Sequence, residues 1–198
     1  METTLERQVR YATYVISPPT VFAGLGYALA WVARPEFWPG LAWGTFYGVA
    51  TSLLPLLFVV WMRLTGRVGS ITMTRRERTV PYFLAVIAAL GAWALLVAID
   101  GPLLLRCLTL VNALALGGLG LINLGWKISN HAAAVGAGAM IAGLVFGALT
   151  GWLLAPVAVA VCVARVWLRK HTTGQVVAGL ALGVAVVLGL ARTGCFVP

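Results

Sequence analysis

The chain of 198 residues contains only two histidines, His131 and His171. Each lies at a break between long apolar segments and close to Lys or Arg: Trp126-Lys127-Ile128-Ser129-Asn130-His131, and Arg165 followed by Lys170-His171-Thr172-Thr173-Gly174-Gln175. These residue types, set between apolar segments, point to phosphate chemistry at a membrane surface. A phosphoryl group held for transfer needs cations on its free oxygens, an in-line nucleophile and a proton donor for the leaving group. One histidine can attack, the other can supply the proton, and the neighbouring bases can hold oxygens. The carboxylates are Glu2, Glu6, Glu36, Glu77 and Asp100. No two of them are spaced as a Mg²⁺ site would require. The expectation is therefore a metal-independent reaction with no cofactor, which disfavours lipid transferases that work through clustered aspartates and Mg²⁺.

The elements that must position these residues are membrane helices. The composition is 61% hydrophobic and 10% charged, too few charges for the surface of a soluble domain of this size. Several apolar stretches reach the roughly 20 residues that cross a bilayer as a helix. The fold class expected is all-α: a single polytopic bundle over residues 1–198, with six or seven spans. Seven segments run at about 11–33, 41–62, 80–99, 103–124, 132–150, 152–168 and 174–191. The first is interrupted by Pro18-Pro19, so its start is kinked or lies in the interface. The second carries Pro55, which should kink it. Asn112, in the middle of the fourth, is placed to hydrogen-bond another helix, and Arg106 can snorkel. Gly179 and Gly183 have GxxxG spacing, which suits close packing within one chain or between chains; the oligomeric state stays open. Cys107 and Cys162 fall in apolar segments and read as small hydrophobes.

The three polar loops follow even-numbered segments and so share one membrane side. That side and the N-terminus carry Arg7, Arg10, Arg63, Arg67, Arg75, Arg76, Arg78, Lys127, Arg165, Arg169 and Lys170, against Arg34, Arg106 and Arg192 opposite. The positive-inside rule puts the loops in the cytoplasm of a bacterial or archaeal plasma-membrane protein. The margin shrinks once the phosphate candidates are set aside. The net charge of +9 is read as meeting anionic headgroups, not nucleic acid, because no basic run is long and no soluble domain carries one.

The arrangement resembles the membrane type 2 phosphatidic acid phosphatases, whose motifs are K-x6-R-P, P-S-G-H and S-R-x5-H-x3-D. The third is matched by Ala164-Arg165, five residues, His171, three residues, Gln175. The second is matched by Ile128-Ser129-Asn130-His131, and the place of the first is taken by Arg75-Arg76-Glu77-Arg78-Thr79-Val80-Pro81. The resemblance covers roughly residues 60–190. It implies that His171 is the nucleophile forming a phosphohistidine, and that His131 protonates the leaving oxygen. It further implies that Arg165, Lys127 and Arg75 or Arg78 hold the phosphate, helped by the Ser129 hydroxyl and the amides of Ser129 and Asn130. Gln175 replaces the family's Asp. It can accept a bond from the His171 ring and fix the tautomer, but it brings no negative charge.

Each of these residues also has a plainer reading. Gln175, three after Thr172, completes a capping box. Arg165, Arg169 and Lys170 serve topology, Arg75–Arg78 form a solvated cluster, Lys127 snorkels, and Ser129 or Asn130 caps a helix. The function expected is hydrolysis of a lipid phosphomonoester or diphosphate of isoprenoid or glycerophospholipid type. A phosphotransferase of the same superfamily and a non-catalytic lipid-phosphate binding or transport protein are the alternatives.

Overall fold

The computed structural model describes residues 3–68 and 74–196. Residues 69–73, inside the first polar loop, fall outside the described residues. The described chain is helical throughout, without strands. Five helices are long and apolar enough to cross a membrane, six if one bent pair counts as a single span. The chain forms two compact units, Phe22–Lys127 and Met1–Val21 with Ile128–Pro198.

The chain opens with α1, Thr4–Val15, and α2, Pro18–Ala33, bent by 42° across Ile16-Ser17. A capping box starts α1: Thr3 accepts from the Glu6 amide and Glu6 accepts from Thr3. The expected Pro18-Pro19 interruption is the bend. Prolines suit the first turn of a helix and cannot continue one. Thr20 ties the corner, accepting from the Ser17 amide at 2.9 Å and donating to the Val15 carbonyl at 2.5 Å.

In the unit Phe22–Lys127, α3 (Phe37–Gly48) runs through a π-turn, Val49–Leu53, into α4 (Leu54–Leu64). The kink expected at Pro55 takes this form. Pro55 cannot donate to the carbonyl of Thr51, and the turn before it widens so that the Leu54 amide reaches Val49. A 3-10 turn, Arg76–Arg78, leads into α5 (Thr79–Ala98), which packs on α6 (Leu103–Gly125). The interhelical bond expected of Asn112 is present: its Nδ2 donates to the Tyr47 hydroxyl at 2.6 Å, both groups buried. Arg106 pairs with Asp100 and donates to the Gly101 carbonyl, staying at the turn that opens α6.

In the other unit, α7 (Asn130–Phe146) packs on both α8 (Ala148–Trp167) and α9 (Thr173–Ala191). Residues 132–138 of α7, all Ala, Val or Gly, are buried. Small side chains on both partners permit this. Gly179 of α9 lies on the Ser129 carbonyl, Gly183 on the Ala133 carbonyl, and Gly143 of α7 on Gly151 of α8. The GxxxG pair therefore serves packing within the chain. The fifth expected span is shorter than its apolar composition suggests. Gly147, at φ +96°, ends α7 after 17 residues, about 26 Å of helix against a core of about 30 Å. The apolar run itself continues past this turn, through Ala148 and Leu149 into α8, which is why composition alone extends the span to residue 150.

Large apolar side chains face outward along the spanning helices, among them Leu53, Leu56 and Leu57 near the π-turn and Leu153, Val159 and Val163 on α8, as lipid-facing positions do. One cysteine reading needs correction. Cys162 is a free, half-buried thiol, but Cys107 is not simply a small hydrophobe: it and Cys195 are each disulfide-bonded. Spacing in the sequence carries no signal for a disulfide, whose geometry is set only in the folded chain.

Candidate functional site

The Arg165-to-His171 spacing follows from the end of α8. The Lys170 amide donates to the Arg165 carbonyl at 3.1 Å and the Arg169 amide to the Val166 carbonyl at 2.9 Å, the paired bonds of a Schellman turn. Arg169 takes the left-handed position at φ +53°, where glycine is usual. The His171 amide also reaches the Arg165 carbonyl, at 3.2 Å. The turn therefore folds the chain back so that His171 lies against the last turn of α8. Both residues are buried, Arg165 to 5% exposure and His171 to 7%.

Thr172 then caps α9. Its hydroxyl accepts from the Gln175 amide at 3.3 Å, and Gln175 Oε1 accepts from the Thr172 amide at 3.2 Å. The expected capping box is thus formed, and Gln175 has a second use: the same Oε1 lies 3.1 Å from His171 Nδ1. A backbone amide can only donate, so the atom facing Thr172 is the carbonyl oxygen. An amide oxygen can only accept, so His171 Nδ1 carries the proton and a neutral His171 has its lone pair on Nε2. The cap of the helix thereby sets the tautomer of the ring.

The start of α7 is tied to the same place. Ser129 is its N-cap, the hydroxyl accepting from the Ala132 amide at 3.4 Å, and the Ser129 amide donates to the Gln175 carbonyl at 3.1 Å. The Ser129 amide expected to receive phosphate is therefore committed to the contact between α7 and α9, and Ser129 is fully buried, at 0% exposure. His131, half-buried in the first turn of α7, has Nε2 3.1 Å from the Thr13 carbonyl of α1. A carbonyl only accepts, so His131 is protonated on Nε2 and presents Nδ1. The two histidines are held as opposite tautomers.

This unit holds Ser129, Asn130 and His131 at the start of α7, His171 and Gln175 at the start of α9, and Arg165 in the last turn of α8; the two helix starts favour an anion. Arg75, Arg78 and Lys127 belong to the other unit. There Arg75 donates to the Leu124 carbonyl and its own carbonyl accepts from Asn123 Nδ2 at 2.8 Å, closing the end of α6. Arg78 hydrogen-bonds Tyr82. Each of those arginines thus has a structural task within its unit. The hold of Thr13 on His131 was not legible in the sequence, because a backbone carbonyl leaves no residue-type signal. Among the described residues, no three His, Cys, Asp or Glu side chains form a metal-binding group. The chain matches no protein family, no characterised protein and no solved structure.

Proposed function

We propose that the chain is an integral membrane phosphatase that removes phosphate from a lipid phosphomonoester or diphosphate, of isoprenoid or glycerophospholipid type, through a phosphohistidine. The resemblance to the type 2 phosphatidic acid phosphatases suggests it. The observation that carries it is the His171 ring, oriented by Gln175 with Nε2 as its lone-pair atom and packed by its backbone against the buried Arg165. In the first step Nε2 attacks phosphorus and the bond to the lipid oxygen breaks, that oxygen taking the Nδ1 proton of a His131 imidazolium, whose Nε2 proton stays on the Thr13 carbonyl. In the second, His131 accepts a proton from water, whose oxygen attacks phosphorus and breaks the P–N bond, releasing phosphate and restoring both rings. Arg165 and the two helix starts offset the charge on the phosphoryl oxygens.

Purified protein in detergent is expected to release phosphate from a subset of isoprenoid and glycerolipid phosphates, and to keep doing so in EDTA. Gln175→Glu, which retains the capping box and adds charge beside the imidazolium, is expected to raise turnover about tenfold, since a hydrogen bond to a charged group exceeds a neutral one by ~1–1.5 kcal/mol. Release that stops in EDTA would remove the metal-independent mechanism. Release that starts only when an acceptor alcohol is added would turn the reading into a phosphotransferase. Binding without product in both proteins would leave a lipid-phosphate binding protein.

We place the site on the cytoplasmic side. α9 starts beside His171 and Cys195 follows its far end, 19 helical residues later, about 28 Å. A disulfide-bonded cysteine belongs to an oxidising compartment, so the His171 end belongs to the opposite one, in agreement with the loop charges. In intact cells after mild reduction, a membrane-impermeant maleimide is expected to label Cys195 and to spare a cysteine introduced by Thr173→Cys. The reverse pattern would invert the topology.

A further inference from the structure

The corner between α1 and α2 does more than turn the chain. In a helix that ran on, the Ser17 amide would close on the Thr13 carbonyl four residues back. Here it donates to the Thr20 hydroxyl at 2.9 Å, while the Ile16 amide closes on Ala12. Thr20, in the first turn of α2, takes the amide of the residue that precedes the helix. That is half of a capping box, with threonine in the usual place of Glu. The Thr13 carbonyl, among the last four of α1 and so open at a helix end, is left for His131, whose Nε2 lies 3.1 Å away. The corner is docked where that bond requires it. Ile16 and Val21 pack against a buried cluster of Val135 on α7 with Ala158 and Val161 on α8, and Val135 lies one turn beyond His131 on the same face of α7. Thr13 itself is buried, at 2% exposure.

We propose that the Ser17–Thr20 corner is a clasp for the proton-donating histidine. By diverting the Ser17 amide it gives His131 a fixed acceptor for Nε2, and so aims Nδ1 at the leaving oxygen. Thr13, through its carbonyl, and Thr20, through the corner, are positioning residues that act through His131. A ring bound at one nitrogen keeps one tautomer and one orientation. The step it serves is the departure of the lipid alkoxide: Nδ1 gives its proton to that oxygen as the P–O bond breaks, and the Nε2 proton stays on the Thr13 carbonyl. The proposal deepens the reading of His131 as general acid and rests on it.

The test compares two substrates of equal chain length in the full-length protein in dodecyl maltoside. Dodecyl phosphate needs a proton on its leaving oxygen; a nitrophenyl phosphate bearing a dodecyl chain expels a phenolate without one. Thr20→Val removes the hydroxyl and keeps the shape. It is expected to lower kcat/KM for dodecyl phosphate at least about tenfold and for the aryl phosphate under about twofold. Thr20→Ser, which restores the hydroxyl, should recover most of the loss. Thr3→Ala, which cuts the capping box at the far end of α1, should change either rate under about twofold. Equal losses for the two substrates would mean that the corner supports only the fold, and overturn the clasp. A second readout needs no turnover. The chain has two histidines, so ¹⁵N-histidine spectra in alkaline buffer, assigned with His171→Ala, report the tautomer of neutral His131. The Nε2–H form should dominate in the unmodified protein and in Thr3→Ala and give way to a mixture in Thr20→Val. If Thr20→Val does not fold, exchange of the Nε2 proton in the unmodified protein decides: slow exchange supports the clasp, and exchange as fast as in free imidazole overturns it. The two failures are separable. An unchanged spectrum with normal turnover of dodecyl phosphate in Thr20→Val sinks the clasp alone. A changed spectrum with both rates unchanged removes His131 as the acid, so that the catalytic reading fails and takes the use of the clasp with it.

Discussion

Replacing His171 with alanine is expected to abolish phosphate release from every lipid that the unmodified protein hydrolyses, by at least about 10⁴-fold, or ~5.5 kcal/mol in the barrier. The size follows from the route. On the proposed route, loss of the ring removes the covalent intermediate and leaves only the electrostatic hold proposed for Arg165 and the helix starts, which would bind phosphate without attacking it. Lipid-phosphate binding should therefore persist in this variant, measured beside release. A ³²P label trapped on the unmodified protein by quenching in alkaline SDS, where the P–N bond of a phosphohistidine survives, should be absent from the variant. Gln175→Ala is the informative companion. It removes both the tautomer lock and half of the capping box, so it should lower release by less than loss of the nucleophile and also lower stability by about 1 kcal/mol. Undiminished release from His171→Ala would show that the nucleophile lies elsewhere.

Replacing Gly183 with alanine is expected to destabilise the fold by about 3 kcal/mol or more. A Cβ there would lie far inside contact distance of the Ala133 carbonyl. The obstacle is backbone, which cannot rotate away as a side chain could, so α7 and α9 must separate and lose their packing. Gly189 is the control on the same helix, with open space around its Cα. There alanine should be neutral or stabilising by up to about 1 kcal/mol through helix propensity. Unfolding in mixed micelles of increasing SDS, followed by tryptophan fluorescence, reads both. Equal midpoints for the two variants would mean that the close approach of α7 and α9 is not needed. Gly179, on the Ser129 carbonyl, links the same packing to the site, because the Ser129 amide and the Gln175 carbonyl meet one turn away.

The sequence made legible what is local or periodic. The apolar lengths give α5, α6 and α9 to within a residue or two. Pro18-Pro19 announces the bend, and Thr172 with Gln175 announces the cap of α9. The partners of Gln175 were readable too, because capping and the i, i+4 reach to His171 both follow from helix geometry. What stayed hidden depends on contacts between distant segments or on backbone atoms: Thr13 on His131 and the Ser129 amide on the Gln175 carbonyl. Charge was the least informative signal. Arg75 and Lys127 stand one after another in the motif order, but a cation near a helix end has several ordinary uses, and Arg75 closes α6.

The π-turn at Val49–Leu53 has a consequence for the history and engineering of the second hydrophobic segment. A turn that closes over five residues instead of four holds one residue more than a regular helix of the same path. The Phe37–Leu64 span thus runs in two phases, offset by one residue, or about 100° of rotation. Tyr47 and its bond to Asn112 lie before the offset, and the lipid-facing leucines Leu54, Leu56 and Leu57 after it. Loss of a single residue from 49–53 would merge the phases and swing one set relative to the other. In this stretch spacing is part of the information the chain encodes, and an insertion or deletion would do more damage there than most substitutions.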